Sequence, residues 1–165
     1  MRKDVVDGIA AVWARELAAV SGLQFELSKR AARLSALFSE RVNAELAKLG
    51  LTKAEYEILA VLRAAGAPYR LRPSDIGARL MLSSGGTSNL LRRLGEERLV
   101  EREADASDAR SSWVRLSAEG VAVAEKAVLA ASAAQQALLT RVPEERAEAA
   151  NAALRDLLIA LGDGA

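Results

Sequence analysis

A mostly α-helical chain with one small β-hairpin is the fold class that the sequence predicts. Three observations carry it. Apolar residues recur with a 3.6-residue period through most of the 165-residue chain. Alanine and leucine dominate, and only 4% of the residues are aromatic, which favours helices. Two short strand-like stretches, Leu99–Glu103 and Ser112–Leu116, stand apart from that period with a polar tip between them.

Asp4 to Val20 reads as the first helix, with Val5, Ile9, Val12, Trp13, Leu17 and Val20 on the period. Ser21-Gly22 is its expected break, because glycine takes the left-handed C-cap conformation without strain. Leu23 to Leu49 reads as a longer helix with Leu27, Leu34, Leu37, Phe38, Val42, Leu46 and Leu49 along one stripe, and Gly50 stops it. Thr52 with Glu55 fits the T-x-x-E capping box, so a third helix is expected over Lys53–Ala65. Gly66-Ala67-Pro68 ends it, and Tyr69-Arg70-Leu71 is a short strand candidate. Pro73 suits the first position of a fourth helix, where its missing N–H costs nothing, and Ile76 and Leu80 point inward. Met81-Leu82-Ser83 makes a turn into Ser84–Leu94. Two short helices joined by such a turn are a helix-turn-helix arrangement.

In the second of the pair, Thr87, Leu90, Leu91 and Leu94 fall at i, i+3, i+4 and i+7 and share one face. Gly85, Ser88 and Arg92 lie on the other, with Asn89 beside them. That face is small, polar and ends in cations. Ser83 or Ser84 can cap the first turn. The hairpin tip, Ala104–Arg110, ends in an arginine. Such a helix suits the major groove of a duplex, and an arginine on a ribbon can reach the minor groove or the backbone. Read from the residues alone, Asp108 and Arg110 fit a solvated turn pair as well as a functional one.

After the hairpin, Ser117 caps a helix from Ala118 to about Arg141, whose middle, Ala130-Ala131-Ser132-Ala133-Ala134, is all small and lets another helix approach closely. Pro143-Glu144-Glu145 opens a last helix with acids favourable to the dipole. Its stripe is Leu154, Leu157, Leu158 and Leu161, and Gly162 closes it. The resulting organisation is helical 1–50, a central unit 51–117 and helical 118–165. The long terminal helices have little within the chain to pack against, so they are expected to pair across two copies around a two-fold axis, with an intramolecular bundle as the alternative.

Composition narrows the chemistry. With no cysteine and no histidine, disulfides, thiol chemistry, zinc fingers and Ser-His-Asp catalysis drop out. No cofactor, metal or catalytic residue is expected. The acid pairs Glu40/Glu45 and Asp105/Asp108 are better read as surface solvation. The overall charge of +1 says little, and Arg70–Arg115 holds nine Arg against seven Asp/Glu, a weak electrostatic footprint. The first residues carry acids where a secretion signal would be apolar, and no uninterrupted apolar run approaches ~20 residues. A soluble cytoplasmic protein without a membrane span is the expectation.

The stretch Leu99-Val100-Glu101-Arg102 … Asp105 … Asp108-Ala109-Arg110-Ser111 … Val114-Arg115-Leu116-Ser117-Ala118-Glu119-Gly120 resembles the wing of the MarR family of bacterial transcription regulators. That pattern runs Gly-Leu-Val-x-Arg, Asp-x-Arg-Ser, then Leu-Thr-x-x-Gly. Arg98 stands where the family often has Gly, and Ser117 where it often has Thr. Leu51-Thr52 … Leu59 … Leu62 matches the helix ahead of the reading head, so the resemblance runs from about Leu37 to Leu161. It implies a winged helix-turn-helix core flanked by dimerisation helices: a homodimeric regulator, a repressor first, on an inverted-repeat DNA operator, modulated by a small-molecule effector. It also implies that Ser84, Gly86, Thr87, Ser88, Asn89 and Arg92 face bases and phosphates. Arg110 would be the wing-tip arginine, oriented by Asp108, with Ser111 beside it. The extra N-terminal helix resembles a urate-responsive branch of the family, and Trp13 matches that branch's Trp. Tyr56 is followed by Glu57 where the branch has Asp, and Ser88-Asn89 by Leu90 where it has Arg. These departures remove the balance for an anion, so a neutral or cationic aromatic ligand at Trp13, Tyr56 and Glu57 is expected before urate. Trp13 has a second reading as core packing. The rival to the whole is a winged-helix protein-interaction module without sequence-specific DNA binding.

Overall fold

The structure is a computed structural model and describes residues 3–104 and 112–163. In chain order it holds α1 (Val5–Glu16), a 3₁₀ turn (Ala18–Val20), α2 (Leu23–Lys48), α3 (Lys53–Ala64), β1 (Arg70–Leu71), α4 (Pro73–Leu80), α5 (Ser84–Glu96), β2 (Val100–Ala104), β3 (Ser112–Leu116), α6 (Ala118–Leu139) and α7 (Glu144–Ala160). The expected class, mostly α with a small antiparallel β element, is the observed one. The chain forms two compact units, Met1–Arg41 and Val42–Ala165, and the division falls inside α2. None of the described helices is long and apolar enough to cross a membrane.

In the first unit, Asp4 caps α1 by accepting from the N–H groups of Val6 (2.8 Å) and Asp7 (3.0 Å), while Asp7 accepts from Asp4 N–H at 2.7 Å. That is a capping box built from two aspartates. Arg30 of α2 then pairs with Asp4 (2.8 Å), Asp7 (2.9 Å) and Glu26 (2.7 Å), tying the start of α1 to α2. The first helix is shorter than the periodicity predicts. It ends at Glu16, because Leu17 leaves helical geometry (φ −155°, ψ 81°) and the chain tightens into the 3₁₀ turn, whose first carbonyl, that of Ala18, accepts from both the N–H (3.1 Å) and the hydroxyl (2.8 Å) of Ser21. The apolar stripe survives the break and stays in solvent: Val5, Ile9, Val12 and Leu17 are exposed.

In the second unit, α3 is the central rod. Ile58, Leu59 and Leu62 are fully buried, each contributing about 1.5–3 kcal/mol by leaving water. Helix α6 packs on α3 through Ala124, Ala127 and Ala131, spaced one turn or two apart. The small-residue surface legible in the sequence thus lets α6 lie close, though its buried alanines start earlier than the Ala130–Ala134 run. The sheet has the order β1-β3-β2, all antiparallel, with Leu71 opposite Val114, Val100 opposite Leu116 and Glu103 opposite Trp113. Val114 and Leu116 face the core, and Arg115 faces out. Ser117 caps α6: its hydroxyl accepts from Gly120 N–H (2.9 Å) and donates to the Arg98 carbonyl (2.7 Å).

Candidate nucleic-acid interface

The turn between α4 and α5 is made by backbone geometry. Met81 takes a left-handed conformation (φ 53°) and closes α4, and Leu82 N–H returns to the Gly77 carbonyl at 2.9 Å. Gly77 faces α5 closely: a Cβ on it would lie 3.1 Å from Thr87 Oγ1, a tight contact that the bare Cα avoids where α4 and α5 meet. Ser83, not Ser84, is the N-cap of α5 and accepts from Gly86 N–H at 3.2 Å.

The polar face of α5 lies as its spacing predicts. Ser84, Ser88, Asn89 and Arg92 are exposed, and Gly86 is half-buried. Arg92 donates to Asn89 Oδ1 at 2.9 Å and pairs with Glu96, so three side chains are strung along the helix. Exposed pairs of this kind are worth only a few tenths of a kcal/mol, about 0.3–0.5, so a base or phosphate can replace them. Thr87 is a correction to the implied contact set. It is 2% exposed and its hydroxyl donates to the Ser83 carbonyl at 3.0 Å. Its place on the apolar face governs; it secures the helix start and presents no side chain outward.

A groove of about 340 Å³ separates α4 from α5, lined by Pro73, Ser74, Gly77, Ala78, Leu82, Ser84, Thr87 and Ser88. Ser74 is thus a candidate contact that sequence reasoning missed. The signal was available: a serine directly after an N1 proline sits in the first turn, where backbone N–H groups point out. Asp108, Arg110 and Ser111, the wing-tip candidates, lie outside the described residues.

The stem of the hairpin carries a charged outer face. Arg115 pairs with Glu101 at 2.7 Å, and this bond, with the charges of Glu101 and Glu103, raises the Arg115 pKa. Arg70 approaches Glu103 at 3.4 Å, and the guanidinium carbons of Arg70 and Arg72 each lie 4.9 Å from the centre of the Trp113 ring. Sequence reasoning read Trp113 only as a strand residue, since β1 and β3 are far apart in the chain.

Of the effector candidates, Tyr56 lines a groove of about 590 Å³ between α3 and α6, with Ala60, Arg63, Ala64, Glu125, Val128 and Leu129. Burial, then the charge of Glu57, raises the Tyr56 pKa, so its hydroxyl stays a donor. Arg63 closes one edge by donating twice to Glu125 Oε1 (2.9 and 2.8 Å) and stacks on Tyr69 at 4.7 Å. Glu57 does not line the groove among the described residues; its carboxylate lies 3.7 Å from Lys53. Trp13 belongs to the first unit, 41% exposed on the apolar stripe of α1.

A helix-turn-helix followed by the β2–β3 hairpin, with β1 from ahead of α4 completing its antiparallel sheet, defines a winged helix-turn-helix domain. The MarR family's model matches residues 49–111 of the chain, a stretch that runs from the end of α2 through the helix-turn-helix and into the hairpin. The HTH-type transcriptional regulator PecS of Dickeya dadantii is 33% identical over 96 residues, a match that spans 58% of this chain and 58% of PecS. Wild-type MarR of E. coli in its apo form superposes with a TM-score of 0.71 at 22% identity, covering 80% of this chain and 96% of that one. MepR of S. aureus in complex with DNA gives a TM-score of 0.70 at 26% identity, covering 81% and 96%.

Proposed function

We propose that the chain is a homodimeric transcription repressor that reads an inverted-repeat DNA site and is modulated by a small planar effector. The observation that carries the reading is the exposed polar face of α5, anchored by Ser83 and ending in Arg92. Small side chains there let the helix sink into a major groove, and Asn and Arg offer the donors that base edges accept. Similarity to PecS and to the MepR–DNA complex supports it. The wing-tip assignments Asp108, Arg110 and Ser111 belong to the same proposal. The dimer is supported by α7, which buries none of its residues and exposes Leu158, Ile159 and, just beyond its end, Leu161. The effector belongs in the α3–α6 groove, where Tyr56 offers a ring face and a hydroxyl above small alanines. Trp13 stays in the proposal as an exposed ring able to stack on a planar ligand.

The test is a mobility shift at fixed, stated salt. It uses a duplex enriched from a randomised library on the wild-type chain, and a random duplex beside it. The enriched site should be an inverted repeat with half-sites about one helical turn apart, ~34 Å. Arg92→Ala should lose ~1–3 kcal/mol of preference for that site and little affinity for random DNA. Failure to enrich any duplex rejects the reading in favour of a protein-interaction module. A screen of neutral and cationic aromatic compounds by thermal shift tests the effector, since a ligand at ~100 times its Kd adds ~2.7 kcal/mol to the folded state.

A further inference from the structure

Glu55 is the charged side chain that the described residues bury completely, at 0% exposure. Its Oε2 accepts from Thr52 N–H (2.8 Å) and Thr52 Oγ1 (2.6 Å), which closes the cap of α3. The cap needs only that oxygen, and a glutamine serves it equally well. The other oxygen, Oε1, is buried and has no hydrogen bond among the described residues. Instead Arg93 Nη2 of α5 stands 2.9 Å from it, at ion-pair distance but without hydrogen-bond alignment. A buried carboxylate is costly unless its charge is balanced, and Arg93 supplies the balance. Burial pushes the Glu55 carboxyl up; the two Thr52 hydrogen bonds and the Arg93 charge outweigh it, and the pKa ends below the usual value.

Arg93 neighbours Arg92, the cation that closes the exposed face, and the two point ~100° apart around the helix. Leu91 and Leu94 hold α5 against the core by apolar contact, which has no direction. The Glu55–Arg93 pair adds a direction. A side-chain tip ~5–6 Å from the helix axis moves about 1 Å when the helix rolls by about 10°. A designed contact constellation tolerates only ~0.5 Å.

We propose that Glu55 is a positioning residue for DNA reading: through Arg93 it fixes the roll of α5 and so sets where Ser88, Asn89 and Arg92 meet base edges. The inference rests on the DNA-reading function proposed above. Arg93 itself stays on Glu55 and contacts no phosphate.

Two variants and their combination test it. Glu55→Gln keeps the acceptor for Thr52 and the volume but removes the charge. Arg93→Met keeps the apolar stem and the helix propensity. Each should bind the enriched duplex about tenfold more weakly, the lower end of what one base contact is worth. The double variant should be no weaker than either single one, because both break the same link. Affinity for random duplex and the salt slope should not change. In the free protein, amide exchange over residues 84–96 should quicken while α3 and α6 keep their protection.

Three results would overturn the proposal. A salt slope lower by about one in Arg93→Met would make Arg93 a phosphate contact. Additive losses in the double variant would separate the two residues. An unchanged ratio of specific to random binding, with exchange raised evenly across the core, would leave Glu55 a cap residue only. If the wild-type chain enriches no duplex, the DNA reading itself has failed, and the exchange arm still decides: unchanged protection at 84–96 in both variants rejects the tether.

Discussion

At the scale of single residues, Arg98 shows how a departure from a family pattern translates into backbone conformation. The wing pattern often has glycine there, and this chain puts an exposed arginine at φ 59°, in the left-handed region. A residue with a Cβ pays roughly 1–2 kcal/mol for that conformation, and glycine recovers part of it against its own greater freedom when unfolded. Arg98→Gly should therefore stabilise the chain by up to about 1 kcal/mol in urea titration. A loss of stability would mean that the arginine side chain holds something in place. Asp4 makes a prediction with a pH sign. The hydrogen bond from Arg30, then that from Asp7 N–H, lowers its pKa from 3.8 to about 2. A carboxylate depressed in the folded state adds stability above its unfolded pKa and loses it as pH falls through the folded one. Capping by Asp4 should thus weaken between about pH 4 and pH 2. Arg30→Ala should move the Asp4 carboxyl titration, followed by NMR, up toward 3.8; a midpoint still near 2 would discount the ion pair. The capping roles of Thr52, Ser83 and Ser117 were legible because a cap is a local event, written within four residues. Glu55 was legible as a cap partner but not as the partner of Arg93, since only the fold brings α3 to α5.

Elements were legible where period and punctuation agreed. Pro73 opened α4, Gly50 closed α2, and the apolar face of α5 fell as its spacing required. They were misread where punctuation was missing. Nothing before Ser21-Gly22 marks the end of α1, so the break at Leu17 comes from backbone geometry that the period cannot show. Thr87 was read both as an apolar-face residue and as a contact, and the apolar face prevailed because its methyl and its bonded hydroxyl both suit burial. The junction of wing and α6 gives a sharper element-scale test. A Cβ built on Gly120 would lie 1.9 Å from the Leu99 carbonyl oxygen, a distance no real contact permits. Alanine is the better helix former by ~1 kcal/mol, so propensity alone predicts that Gly120→Ala stabilises α6. Packing predicts the reverse: the helix start must back away from Leu99, at a cost of roughly 1–3 kcal/mol typical of overpacking. The close approach should win, because its obstacle is backbone and cannot rotate aside. Urea unfolding would show a net loss of stability, and Gly120→Ala as stable as the parent would mean that α6 shifts freely on the wing.

At the scale of the whole molecule, the chain leaves apolar surface that one copy does not cover. In the first unit Val5, Ile9, Val12 and Leu17 are all more than a third exposed; in the second, Leu154, Leu158, Ile159 and Leu161 are exposed on and just beyond α7. Isolated exposed leucines are ordinary, but a continuous stripe on a helix that buries nothing is the mark of an interface. The sequence showed these stripes by their period, yet period cannot distinguish a core face from a docking face; only the burial of each residue in the folded chain does. Leu158→Arg separates the two. Leu158 is 48% exposed, so within one copy the substitution removes few contacts and forces no charge into the core. The fold should be retained, with the same circular dichroism as the parent. In a dimer that buries α7, the same arginine would be desolvated without a partner, at several kcal/mol. The variant should therefore sediment as a monomer at concentrations where the parent is a dimer. Its melting temperature should lose the concentration dependence that an obligate dimer shows. A variant that still sediments as a dimer, with unchanged melting, would place the dimer interface away from α7.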